Sequence, residues 1–255
     1  MTSATSCAGC RNADASAFAI PFTMAFQPIV DVVADKIWGY EALVRGVGGE
    51  GAFQVLSQVN EQNRYAFDQA CRVKAIELAG AGIAGGDAKL SINFMPNAVY
   101  EPKACIRATL EASGRMQFDP KRLMFEFTEN ERMDDVAHVS HIVAEYRRMG
   151  FTTALDDFGA GYAGLALLAK FQTDLIKLDM ELLRHIEASR VKQAIVRGLV
   201  GIAAELGITV LAEGVETAEE LSVLRATGIR LFQGYYFARP VVEKFQSYGE
   251  LSRAA

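Results

Sequence analysis

A chain of 255 residues with 51% hydrophobic and 22% charged side chains has the apolar material for a substantial core, which excludes global disorder. Its 26 Lys+Arg against 31 Asp+Glu leave a formal charge of -5, the wrong sign for wide contact with a nucleic acid polymer. No apolar run approaches the ~20 residues of a membrane helix, so a membrane is not expected as a partner.

The start, MTSATSCAGCRNADAS, has no basic stretch leading into an apolar region, which argues against a secretory leader and for a cytoplasmic location. Residues 1–20 read as a flexible Ser/Ala-rich tail, and residues 21–255 as one folded domain. Cys7 and Cys10 form a lone CxxC in that tail, with no second ligand pair nearby; a silent tail is the plainer reading, a redox or metal role the other. With Cys71 and Cys105 they do not make a disulfide framework for a chain this long.

Beyond the tail, β-like runs alternate with amphipathic helical ones. The β-like runs are 23–32, 36–45, 89–94, 123–129, 152–158, 175–180, 209–215 and 231–239. Helices are predicted over 63–80, 97–113, 135–150, 189–207 and 217–228, the last opening with a capping box from Thr217 to Glu220 and closing on Gly228. Eight β runs joined by helices predict a parallel sheet beneath helices, and eight is the number that closes a barrel. Only Val33-Ala34-Asp35 separates the first two runs, too short for a crossover. Those strands should pair as an antiparallel hairpin, making the barrel a modified one.

Alternation along each run then sorts the side chains. Phe125 and Phe127 share one face, Glu126 and Thr128 the other; Lys177 and Asp179 oppose their aliphatic neighbours. Asn93, Glu126, Asp156, Asp157, Lys177, Glu213 and Gln233 fall at or near the ends of their runs, where barrel enzymes carry their chemistry, and Glu41 lies somewhat inside its own. Carboxylates gathered there would repel unless cations neutralised them. Asp, Glu and Asn oxygens without His or Cys suit Mg²⁺ or Mn²⁺ rather than structural zinc. The histidines, His138, His141 and His185, fall in helical segments. The adjacent acids of LDDFGAG, Asp156 and Asp157, could reach two ions about 3.5–4 Å apart, the clamp used for in-line attack on phosphate.

These residues resemble a known family. Glu41-Ala42-Leu43-Val44-Arg45 is similar to the ExLxR signature of EAL-domain cyclic-di-GMP phosphodiesterases. The resemblance continues through Ser91-Ile92-Asn93, Glu126-Phe127-Thr128-Glu129, Asp156 to Tyr162, Ile176-Lys177-Leu178-Asp179, Ala212 to Glu216, and Gln233-Gly234-Tyr235, covering about residues 22–245. It implies a modified TIM (β/α)8 barrel with one antiparallel strand and the cleavage of cyclic-di-GMP to linear pGpG with two Mg²⁺ or Mn²⁺ ions. By the same resemblance Glu41, Asn93, Glu126 and Asp156 hold the first ion, Asp156 bridges, and Asp157 and Glu213 serve the second. Lys177 and Glu213 would manage the attacking water, Gln233 would orient the site, and Glu129 would steady the DDFGAG loop. Gln27, Arg45, Asp179, Glu216 and Tyr236 occupy positions that resemble guanine or phosphate contacts. A homodimer through the face near DDFGAG is also implied.

The chain departs from common family usage in the glycine-rich GVGGEGAF and at Met180, where an Arg usually stands. No ligand position is lost, so the resemblance implies an enzyme more than a non-catalytic cyclic-di-GMP receptor or protein-interaction module. A strand-end Lys among carboxylates also suits proton abstraction in an enolase-type barrel, but that class usually carries a capping domain for which the chain leaves little room.

Overall fold

The computed structural model describes residues 21–95, 99, 101–128, 136–161 and 164–251. The expected tail with Cys7 and Cys10, and Glu129, lie outside the described residues.

Strands β1 (Phe22–Asp31) and β2 (Lys36–Gly46) form the antiparallel hairpin expected from their short connection, with Gln27 opposite Glu41. From β2 the ladder runs in parallel through β3 (Lys89–Asn93), β4 (Leu123–Thr128), β5 (Thr152–Phe158), β6 (Leu175–Leu178), β7 (Thr209–Ala212) and β8 (Leu231–Phe232). β1 closes the barrel by pairing antiparallel to both β2 and β8, and a short β9 (Val241–Val242) adds outside it. The last three barrel strands are shorter than their apolar runs. Their ladders stop at Leu178, Ala212 and Phe232, immediately before or after a rim side chain.

The described helices are α1 (Ala52–Leu56), α2 (Arg64–Ile83), α3 (Pro102–Cys105), α4 (Arg107–Arg115), α5 (Val136–Arg148), α6 (Gly164–Leu168), α7 (Met180–Leu183), α8 (Arg190–Leu206) and α9 (Ala218–Ala226). The helix expected over 97–113 is two pieces, the first opening on Pro102, whose missing N–H costs nothing in a first turn. At α9 the Thr217 hydroxyl accepts from the Glu220 N–H, half of the expected box. The Glu220 carboxylate instead accepts from the N–H groups of Glu216 and His185.

Strand alternation produces two apolar layers. Phe26, Tyr40, Leu90, Phe125, Phe127 and Ile176 face outward under the helices in the main core. Ile29, Met124, Ala154, Leu175 and Leu211, with Leu231 and Trp38, fill the barrel's interior. One period of two residues further toward the mouth, the same inward face carries Gln27, Glu126, Asp156, Lys177, Glu213 and Gln233. Strand pleating therefore stacks a polar ring directly on a dry layer.

Candidate active site

Lys177 stands at the centre of that ring and is 1% exposed. Its Nζ lies 2.8 Å from Glu213 Oε1, 2.9 Å from Glu126 Oε2, 3.0 Å from Asp156 Oδ1 and 3.6 Å from Glu41 Oε2. Burial works against its charge, but Asp156, Glu126, Glu213 and Glu41 outweigh that and hold its pKa well above the usual range. Glu41 is fixed on both oxygens: Gln233 Nε2 donates to Oε2 at 2.6 Å and Asn93 Nδ2 to Oε1 at 3.0 Å. Gln233 also donates to Gln27 Oε1, and Gln27 Nε2 donates to the Ala238 carbonyl.

Glu41's place inside its run is explained by register. It pairs with Ser91, and the parallel ladder with β3 ends at Ala42, so the remainder of β2 stands above the rim with β1. Asn93 pairs with Glu126 in the same way.

The two adjacent acids reach one place through a backbone irregularity. Regular pleating would send Asp156 and Asp157 to opposite faces. The β5–β6 register shifts between Leu155 and Phe158, and Asp157 takes φ +54°, a left-handed conformation that Asp tolerates better than most residues. Gly159 at φ +97° then completes the turn. As a result, ligand oxygens of Glu41, Glu126 and Asp156 lie within 4.8 Å of one another, as do those of Asp156, Asp157 and Glu213. Asp156 belongs to both groups. Burial, then Glu41 and Asp156, raise Glu126 to about 8 against the pull of Lys177. Burial, with Asp156 and Asp179 adding, raises Asp157 to about 6. Burial lifts Glu213 well above the ordinary carboxylate range.

The donor set fits hard divalent cations. The carboxylate donors are all oxygens, the two groups share Asp156, and the buried Glu126 Oε1 has no hydrogen-bond partner. Among the described residues a further His/acid group, His185, Glu187 and Glu220, lies outside this ring. His185 falls just after α7 rather than within a helix.

Two cavities open on the ring and meet at Glu41 and Leu43. One, of about 280 Å³, is lined by Gln27, Asp157, Asp179, Met180, Glu213, Glu216 and Tyr235. The other, of about 610 Å³, is lined by Met24, Phe67, Asn93, Met95 and Asp156, and is mostly apolar. Of the expected substrate contacts, Gln27, Asp179 and Glu216 line the first cavity; Asp179 also caps α7, accepting from the Glu181 N–H at 2.7 Å. Arg45 lines neither and donates to the Val44 carbonyl. The Tyr236 ring packs edge-on against Phe237, and it is Tyr235 that lines the cavity, with the Arg239 guanidinium 4.0 Å from its ring centre.

One supporting pair was not among the expected residues. Arg72 and Asp68 on α2 form a buried ion pair at 2.6 Å, and Asp68 Oδ1 accepts from the Met95 N–H just beyond Asn93. Its only sequence signal is an i,i+4 pair of charges on the apolar side of α2.

Comparisons with known proteins agree with this geometry. A model of the EAL domain matches residues 19–240. The chain is similar to a standalone versatile EAL protein of Vibrio cholerae O395, solved in a c-di-GMP bound form: 54% identical, TM-score 0.86, covering 91% of this chain and 97% of that one. It is similar to Klebsiella pneumoniae BlrP1 in a manganese/cy-diGMP complex: 37% identical, TM-score 0.83, covering 90% of this chain and 58% of that one. Among curated relatives it is 32% identical to the blue light- and temperature-regulated antirepressor BluF of Escherichia coli, over 84% of this chain and 53% of that protein. It is 28% identical to cyclic di-GMP phosphodiesterase PA2567 of Pseudomonas aeruginosa, over 87% of this chain and 38% of that protein. The chain thus spans about half or less of the length of these curated relatives.

Proposed function

The chain belongs to the EAL domain family, and on that premise we propose that it hydrolyses one phosphodiester bond of cyclic-di-GMP to linear pGpG, with two Mg²⁺ or Mn²⁺ ions. The observation that carries this is the pair of carboxylate groups sharing Asp156 at the mouth of the barrel. The cavities on either side of Glu41 add support: they suit a ligand with two bases flanking a central phosphate ring. The manganese and cyclic-di-GMP in the Klebsiella relative's complex point the same way.

Glu41, Asn93, Glu126 and Asp156 would hold one ion; Asp156, Asp157 and Glu213 would hold the other. Bound there, such ions supply Lewis acidity toward the phosphoryl oxygens and lower the pKa of water. The residues do the rest. Lys177 orients the attacking water with its ammonium hydrogens. Glu213, 2.8 Å from Lys177, would receive that water's proton. Gln233 locks Glu41 at the angle its ligand role requires. Glu129, outside the described residues, is assigned the support of the loop after β5 by resemblance alone. Gln27, Asp179 and Glu216 would contact the bases; Arg45 and Tyr236 would need to turn to do so.

The test is a product assay on purified protein titrated with Mg²⁺ and Mn²⁺. Glu41→Ala should abolish turnover while leaving the melting profile near wild type, since it removes a ligand from the mouth and not from the core. Absence of pGpG at enzyme concentrations close to the substrate's would overturn the proposal. The similarity to an antirepressor favours a second reading, a non-catalytic cyclic-di-GMP receptor or protein-interaction module. Binding without hydrolysis in any divalent metal would support it.

Two further assignments belong to the same proposal. A homodimer would use the face carrying the DDFGAG turn, where Leu165 is 55% exposed; sedimentation of wild type and Leu165→Glu tests it. No described helix is long and apolar enough to cross a membrane, and an intracellular signalling nucleotide as substrate makes the cytoplasm the proposed compartment.

A further inference from the structure

Glu216 does not stand alone beside the smaller cavity. Its Oε1 lies 2.9 Å from Arg184 Nη2, a residue that follows α7 on the neighbouring loop. Arg184 Nη1 lies 3.4 Å from Glu220, whose side chain is 2% exposed. The Glu220 carboxylate accepts from the Glu216 N–H at 2.9 Å and from the His185 N–H at 3.0 Å, so it grips the backbone of both loops at once. Lys192 of α8 ties the far side, donating to the Glu181 and Arg184 carbonyls at 2.6 and 2.8 Å. The loops also touch through carbon. Gly214 has φ +64°, and a Cβ there would lie 2.5 Å from the Met180 Cβ. The loop after β6 and the loop after β7 are therefore locked together beside the cavity that Glu216, Asp179 and Glu213 line.

Resting on the reading above, we propose that Arg184 and Glu220 are positioning residues for base recognition: they hold the Glu216 carboxylate in the one orientation that accepts from the paired N–H donors of a guanine. A carboxylate oxygen has two acceptor sites, so Oε1 can serve Arg184 and still face a base. The guanidinium fork fixes direction as well as charge, which a single point charge does less well.

The experiment measures KM, kcat and calorimetric affinity for cyclic-di-GMP and for its analogue with both guanines replaced by hypoxanthine, which lacks the 2-amino donor. Arg184→Gln should raise KM and weaken binding of cyclic-di-GMP roughly tenfold, with kcat within about twofold, and should narrow the preference over the hypoxanthine analogue. Arg184→Lys should recover part of the loss. Adding Arg184→Gln to Glu216→Gln should cost nothing further, because both act through one carboxylate. Glu220→Gln, of the same size, should give the same shift if Arg184→Gln does not fold. Wild-type KM and base preference in either folded variant, or losses that multiply in the double variant, would overturn the positioning role alone. A wild-type chain that neither binds nor cleaves cyclic-di-GMP would overturn both this role and the proposed function.

Discussion

At the scale of single residues, the site is an argument between Lys177 and the acids around it. Removing the ammonium leaves buried like charges facing one another. Lys177→Met should therefore destabilise the chain in EDTA by about 3–5 kcal/mol, the cost of breaking a buried pair, and Mn²⁺ should restore much of it; denaturant melts with and without metal read this directly. The pH dependence follows from Glu126 at about 8 and Asp157 at about 6. An unfolded carboxyl titrates near ~4. Between those values the folded chain binds more protons than the unfolded one, so unfolding free energy falls as pH rises. Stability contributed by these protons is complete below about pH 4 and gone above about pH 8. Divalent cations bound to these carboxylates would displace the same protons, so the gap between metal-loaded and metal-free melting temperatures should widen steadily from about pH 5 to 8. Parallel melting curves across that range would show that the acids are not the metal's ligands.

At the scale of elements, the supports matter as much as the ligands. Asp68 on α2 neutralises Arg72 and anchors the Met95 N–H, and thereby the end of β3. Asp68→Ala strands a buried guanidinium and should cost about 3–5 kcal/mol, with the double variant Asp68→Leu/Arg72→Met recovering much of it; urea midpoints test both. These elements also show what a sequence displays and what it hides. The hairpin was legible because three residues cannot make a crossover, and Glu126 and Lys177 because alternation is a local property of a strand. Asp157 was legible as an acid, but only the family resemblance placed it beside Glu213, since its turn depends on a register shift. Arg184 and Glu220 were invisible as partners: 36 residues separate them, and no periodicity links one loop of a barrel to the next. Tyr236 was named from the resemblance alone, and its neighbour Tyr235 lines the smaller cavity, a placement that alternation could not have supplied. Once β8 stops after Phe232, alternation no longer says which ring faces the cavity.

At the scale of the whole molecule, β1 takes the place of an eighth parallel strand. Running against its neighbours, it joins β2 to β8 and brings Gln27 to the ring from the opposite chain direction. Beneath that ring the interior layer of Ile29, Met124, Ala154, Leu175 and Leu211 shuts the barrel completely; each of these side chains is 0% or 1% exposed. The ring is thus closed from below by a dry layer, and both cavities lie on its open side. On the proposed reaction, a substrate cut open there would become a longer, slacker molecule and would leave on the side it entered, past the two cavities. Linear pGpG should then be a competitive inhibitor whose departure, rather than bond cleavage, limits turnover. A burst of product in the first cycle, with an amplitude matching the enzyme concentration, would reveal that traffic at the door.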